Sequence, residues 1–144
     1  TMAFDQFFNG PLVGHAIVQN RSGKVIRRFT VDMVGTWNGD QGTLEEHFVY
    51  NDGKTQDRTW HIRKHADGTF TGTAADIVGV AHGKAAGNAI KWQYVMKVEV
   101  NGRLININFD DWMFMATDNI IINRSIMKKF GFNVGEITIT IHKK

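Results

Sequence analysis

The chain contains no cysteine and a single proline in 144 residues. Without cysteine there are no disulfides, no thiolate nucleophile and no sulfur ligand for a metal. Serine is nearly as scarce. Ser22 and Ser125 are the two present, and neither sits in the Gly-x-Ser-x-Gly turn that exposes a hydrolytic nucleophile. No apolar run approaches the roughly 18 residues of a membrane-spanning helix, and no signal peptide is visible. Neither sign of charge dominates: 17 basic against 14 acidic residues leave a net charge of +3. The basic residues fall in scattered pairs such as Arg27-Arg28, Arg63-Lys64 and Lys128-Lys129 rather than in one stripe. That pattern suits solvated strand ends and argues against a nucleic-acid partner.

Metal and phosphate motifs are missing as well. Six histidines are present, but none forms His-x-His or His-Glu-x-x-His. His61 and His65 share a strand face at a separation of roughly 13 Å, too far apart for one zinc. Gly79-Val80-Ala81-His82-Gly83-Lys84-Ala85 is one residue short of a phosphate loop, with alanine where the hydroxyl is needed. No cofactor is expected. His82 lies in a small-residue strand with Gly79, Ala81 and Gly83, where something bulky can approach.

What the chain has is apolar, aromatic and glycine residues. Apolar types make up 42%, with ten Phe, four Trp and six Met, enough for the core of one domain spanning residues 1–144. Phe4, Phe7 and Phe8 sit at i, i+3 and i+4, which predicts a short helix ended by Asn9-Gly10-Pro11. Residues 1–10 are therefore expected to plug one end of the fold. Ten strands follow, at His15–Gln19, Val25–Trp37, Gly42–Tyr50, Gln56–His65, Thr69–Ala74, Gly79–Ala85, Ala89–Val100, Arg103–Met115, Ile120–Ile126 and Val134–His142. Asn38-Gly39, Asp52-Gly53, Asp67-Gly68 and Asn101-Gly102 supply tight hairpin turns between them. Short connections make consecutive strands antiparallel neighbours.

Several strands alternate an apolar and a wet face, for example Ile90, Trp92, Tyr94, Met96 and Val98 against Lys91, Gln93, Lys97 and Glu99. Repeated across ten strands with no helix to cover an open sheet, this predicts an all-β antiparallel meander closed into a barrel of about 8–10 strands. A two-sheet sandwich is the alternative. A barrel of that size has room for side chains and one small ligand.

The face formed by Ile105, Ile107, Phe109, Asp111, Met113 and Met115 carries one carboxylate among apolar side chains, and a buried charge needs a partner or a job. On the next strand, Ile120, Ile122, Arg124 and Ile126 alternate with one cation inserted. Glu46 shares a face with Leu44, Phe48 and Tyr50. Arg58 and Arg124 are thus expected inside, either neutralising Glu46 and Asp111 or holding the anionic head of a ligand. Trp37, Trp60, Trp92, Tyr94, Met96, Phe109 and Met113 would line the interior, with Arg58, Asp111 and Arg124 as polar anchors. The expected ligand is an apolar or amphipathic small molecule, lipid- or fatty-acid-like. A filled barrel working through its outer surface is a second reading, with Trp112 and Phe114 as its seed. An enzyme on a lipid-like substrate, using Asp111 or Glu46 as acid or base, is a third.

Two resemblances bear on this. Gly35-Thr36-Trp37 is similar to the Gly-x-Trp of lipocalins, although there the motif opens the first strand and here it ends the second. Phe7-Phe8-Asn9-Gly10, Arg27-Arg28-Phe29-Thr30-Val31-Asp32, Phe48-Val49-Tyr50-Asn51-Asp52-Gly53, Phe109-Asp110-Asp111-Trp112-Met113, Ile122-Asn123-Arg124 and Lys129-Phe130-Gly131-Phe132-Asn133-Val134-Gly135-Glu136 together resemble an uncharacterised bacterial family, DUF3833, often labelled as lipoproteins. The resemblance implies a lipocalin-like barrel. It also implies a lipoprotein leader with a lipidated cysteine, and so a place in the bacterial cell envelope, periplasm or outer membrane. The membrane would be reached only through that anchor, which this chain does not carry. No activity comes with the family.

Overall fold

A computed structural model describes residues 3–144, so the first two residues of the expected plug lie outside the described residues. One short helix, α1 (Phe4–Phe7), precedes ten strands: β1 (Gly10–Asn20), β2 (Val25–Asn38), β3 (Gln41–Tyr50), β4 (Thr55–Lys64), β5 (Thr69–Thr73), β6 (Ile77–Ala86), β7 (Ala89–Val100), β8 (Arg103–Thr117), β9 (Ile120–Lys129) and β10 (Phe132–Lys143). Each strand pairs antiparallel with the next, and β1 also pairs with β10 from Leu12↔Lys143 to Asn20↔Gly135. The sheet is a closed barrel rather than a sandwich. Closure leaves no free sheet edge along that seam.

Several strand boundaries differ from the periodicity. β1 begins five residues before the expected start, because its first half is paired on both sides, with Met33 and Lys143 flanking Leu12. β6 starts at Ile77 and bulges between Val78 and His82. β9 and β10 run on to a two-residue turn at Phe130-Gly131, which lacks the Asn or Asp that marks the other hairpins.

β9 also corrects an expectation. Its buried residues are Ile121, Asn123 and Ser125, whereas Ile122 and Arg124 are exposed. Three consecutive isoleucines, 120–122, make both faces look apolar, so alternation within the strand does not choose between them. The register does. Ser125 lies opposite Asp111, and cross-strand partners share a face. Arg124 therefore points outward, where it pairs with Glu136 at 2.8 Å.

The helix closes the end of the barrel at which β1 begins. Phe4, Phe7 and Phe8 are buried. The Phe4 ring packs 5.0 Å from Phe70, 6.2 Å from Trp92 and 6.3 Å from Trp37. Lys143 Nζ donates to the carbonyls of Gln6, Phe7 and Asn9, three groups left unpaired where the helix ends. Trp92 fills the space that the small-residue strand leaves open. A Cβ on Gly83 would stand 2.4 Å from its ring and one on Gly72 2.8 Å. His82, between them on the other face, is exposed.

Gly35 marks where plug and wall touch. A Cβ there would meet the Phe8 carbonyl oxygen at 1.8 Å, and the same oxygen accepts a hydrogen bond from Trp37 Nε1 at 3.0 Å. Overpacking a tight contact costs about 1–3 kcal/mol. Gly35→Ala is expected to destabilise the fold by that amount through displacement of α1, measured by thermal unfolding. A variant as stable as the parent would show that the plug contributes nothing.

Candidate functional site

The inward residues of β2, β3, β4, β7, β8, β9 and β10 surround a cavity of about 860 Å³. Its closed end is floored by Phe4, Phe8 and Trp92; its open end reaches Lys54, Asn101, Gly102 and Leu104. The open end is where the β1–β2, β3–β4, β7–β8 and β9–β10 turns gather, because antiparallel strands bring alternate turns to one end. The wall is lowest at β5, which has five residues. β4 pairs with it only over His61–Lys64, and the β5–β6 turn drops Asp76 into the notch above.

Of the expected lining residues, Arg58, Trp60, Trp92, Tyr94, Met96, Phe109, Asp111 and Met113 border the cavity. Trp37 does not. Its side chain lies over Gly42 and its Nε1 donates to Phe8, so it belongs to the plug. Arg124 is on the outside. Alternation missed Asp76, Asn123 and Ser125. Asp76 sits in a turn with no periodicity to read, and the other two were hidden by the isoleucine run.

Two polar clusters stand on this wall. In the first, Glu46 on β3 lies opposite Arg58 on β4. Arg58 donates to both Asp76 oxygens, from Nε at 3.0 Å and from Nη2 at 2.9 Å. It stands 3.6 Å from Glu46 Oε1, an ion-pair contact without a hydrogen bond. In the second, Asp111 on β8 accepts from Tyr94 Oη at 2.9 Å through Oδ2 and from the Ser125 hydroxyl through Oδ1. The Tyr94 ring stacks on Phe109 at 5.1 Å and meets Trp60 edge-on at 5.4 Å.

Burial sets the electrostatics. It pushes the Glu46 carboxyl up to about 7 against the pull of Arg58. It pushes Asp111 up to about 6 against its hydrogen bonds from Ser125 and Tyr94. Burial, and then the neighbouring Asp111, raises the Tyr94 phenol well above its usual range. Burial also opposes the charge on Arg58, but Asp76 and Glu46 hold it protonated. The guanidinium is thus committed to carboxylates of the protein itself. Two buried acceptors, Glu46 Oε1 and Asn123 Oδ1, have no hydrogen-bond partner, and both residues line the cavity. Among the described residues, no group of three His, Asp or Glu side chains could hold a metal ion.

A closed antiparallel barrel, plugged at one end and hollow within, is the architecture of the lipocalin-like, or calycin, class. The S-type phycobiliprotein lyase CPES from Guillardia theta shares it. The two structures agree with a TM-score of 0.70 at 10% sequence identity, over 98% of this chain and 90% of that one. At that identity the likeness is one of fold. No curated protein is similar in sequence. The chain belongs to the family described as protein of unknown function (DUF3833), whose model matches residues 1–143.

The raised carboxyls have a consequence for stability. In the unfolded chain Glu46 and Asp111 would return to 4.5 and 3.8, so between about 4 and 7 the fold holds protons that the unfolded chain has lost. The stabilisation is complete below the unfolded values and is lost as pH rises through the folded ones. Unfolding free energy should therefore fall from pH 4.5 to 7 and level off above it, by on the order of 3 kcal/mol for Glu46 alone. Glu46→Gln should remove about half of that slope, leaving the part due to Asp111. Denaturant titrations at a series of pH values measure it, and a parent slope of the opposite sign would refute the assignment.

Proposed function

We propose that this protein binds one amphipathic small molecule inside the barrel, with the apolar part against the aromatic wall and the polar end towards Glu46 and Asn123. The observation that carries this reading is a hollow interior of about 860 Å³ in which two buried acceptors are left unpaired. Ligand pockets typically enclose about 300–1,000 Å³. A buried acceptor without a donor costs about 1–3 kcal/mol, so a ligand that donates to it recovers that loss on binding.

The same geometry selects the head group. Arg58, the cation that lines the cavity near these acceptors, is taken by Asp76 and faces Glu46. An entering carboxylate would find Glu46 and Asp111 nearby and Arg58 already engaged, the other lining cations, Arg27, Lys54 and Lys97, lying towards the mouth. A hydroxyl, amide or ammonium group finds acceptors. This reading departs from a fatty-acid carboxylate held by Arg58 and Arg124, and keeps a lipid-like tail. The envelope location implied by the family resemblance fits a carrier of such a molecule. Both Asp111 oxygens are already engaged, which favours binding over acid–base catalysis at that residue.

The test is displacement of N-phenyl-1-naphthylamine, followed by its fluorescence at neutral pH. The dye is expected to bind saturably. Dodecanol and dodecylamine are expected to displace it at about tenfold lower concentration than dodecanoate, the equivalent of about 1.4 kcal/mol. Glu46→Gln should remove the preference for the amine and spare the alcohol, since the amide oxygen still accepts. Absence of dye binding, with no alkyl ligand protecting the protein against heat, would refute the reading.

A further inference from the structure

We propose that the open end of the barrel docks onto an anionic lipid bilayer. Four large apolar side chains in the described residues are more than half exposed: Phe130 at 85%, Leu104 at 72%, Phe132 at 67% and Ile26 at 59%. All four lie at the open end. Phe130 is in the β9–β10 turn and Phe132 follows it, Leu104 follows the β7–β8 turn, and Ile26 follows the β1–β2 turn. Exposed apolar side chains are ordinary when scattered singly; gathered at one pole, they mark an interaction surface.

The turn at Phe130 provides a second, independent observation. Phe130 has φ +53 and Gly131 φ +80, while the neighbouring β7–β8 turn has Asn101 at +52 and Gly102 at +78. The two hairpins have almost the same φ values. Asn is the residue that tolerates the left-handed region there, and a bulky aromatic in it is a genuine outlier. Phe130 thus holds an unfavourable backbone conformation with nearly its whole side chain in solvent. What the fold gains from this choice is one exposed contact, with Lys129 Nζ 4.9 Å from the ring centre. Insertion into an apolar phase beyond the protein would bury the ring.

Charge selects the occupant. Lys24, Lys54, Arg103 and Lys129 are placed in or beside these same turns. The acidic side chains there are Glu99 and Asp52, the latter already paired with Arg27 at 3.4 Å. Aromatic and aliphatic tips set among lysine and arginine suit a surface that is negative at the headgroups and apolar beneath. Leu104 and Lys54 also border the cavity, so docking would set the mouth directly against the bilayer. An amphipathic ligand could then pass between lipid and barrel without crossing water.

Sedimentation with vesicles tests this. One set is phosphatidylcholine alone, and a second includes phosphatidylglycerol. The protein is expected to bind the anionic vesicles at least about tenfold more tightly, with the binding weakened by salt. The double variant Phe130→Asn, Phe132→Thr should lose about tenfold in vesicle affinity. Its thermal stability should be unchanged or higher, because Asn suits the turn, and its uptake of N-phenyl-1-naphthylamine should equal that of the parent. Parent protein that stays in solution with both vesicle types would overturn the proposal, as would a double variant that binds like the parent. If the parent instead forms a dimer that the double variant abolishes, and neither binds vesicles, the surface belongs to a second copy and the proposal falls. Dye uptake reads the cavity separately, so either reading can fail without the other.

Discussion

Closure of the sheet by the β1–β10 ladder is the constraint on which everything else rests. Once the ring is shut, every residue of every strand must face either in or out, and the period of two leaves no other choice. Ten strands also make a ring wider than side chains alone fill, since eight already leave room for a small ligand. The cavity follows from strand number more than from any one residue. The helix plugs one end because three phenylalanines within five residues have nowhere drier to go, and the other end is left as the mouth.

Enclosure makes charge expensive, and the interior ions are arranged accordingly. Arg58 stays charged because Asp76 takes it bidentately and Glu46 stands beside it. Asp111 is handled differently, with hydroxyl donors in place of a cation. The result is an acceptor-rich interior in which Arg58 is already engaged, and the proposed preference for a donor head group rests on that. Buried ionic groups of this kind often specify register more than they add stability. Here two of the directly opposed pairs, Glu46↔Arg58 and Asp111↔Ser125, lie on that wall.

The two ends of the barrel contrast in their chemistry. At the plugged end, apolar rings are buried and backbone carbonyls are capped by Lys143. At the mouth, apolar rings stand in solvent and one of them sits on a left-handed backbone. A chain under selection for folding alone would place its aromatics the other way round.

Much of this was legible in the sequence. The ten strands follow from two-residue alternation and Asn-Gly or Asp-Gly turns, both local properties of the chain. The plug follows from the spacing of Phe4, Phe7 and Phe8. The inward carboxylate at 111 follows from its apolar neighbours on the same face, and Arg58, Trp60 and Tyr94 were found in the same way. Tertiary structure decided what local pattern could not. The face of β9 depended on its register against β8, because Ile120, Ile121 and Ile122 satisfy either alternation; with that register, Arg124 moved to the surface and Ser125 to the site. Asp76 came from a turn, where no period exists to read. Trp37 went to the plug because the helix crosses β2 at Gly35. Which carboxylate takes Arg58, and so which acceptors remain for a ligand, depends on distances across the barrel between residues far apart in the chain, and those exist only once the ring has closed.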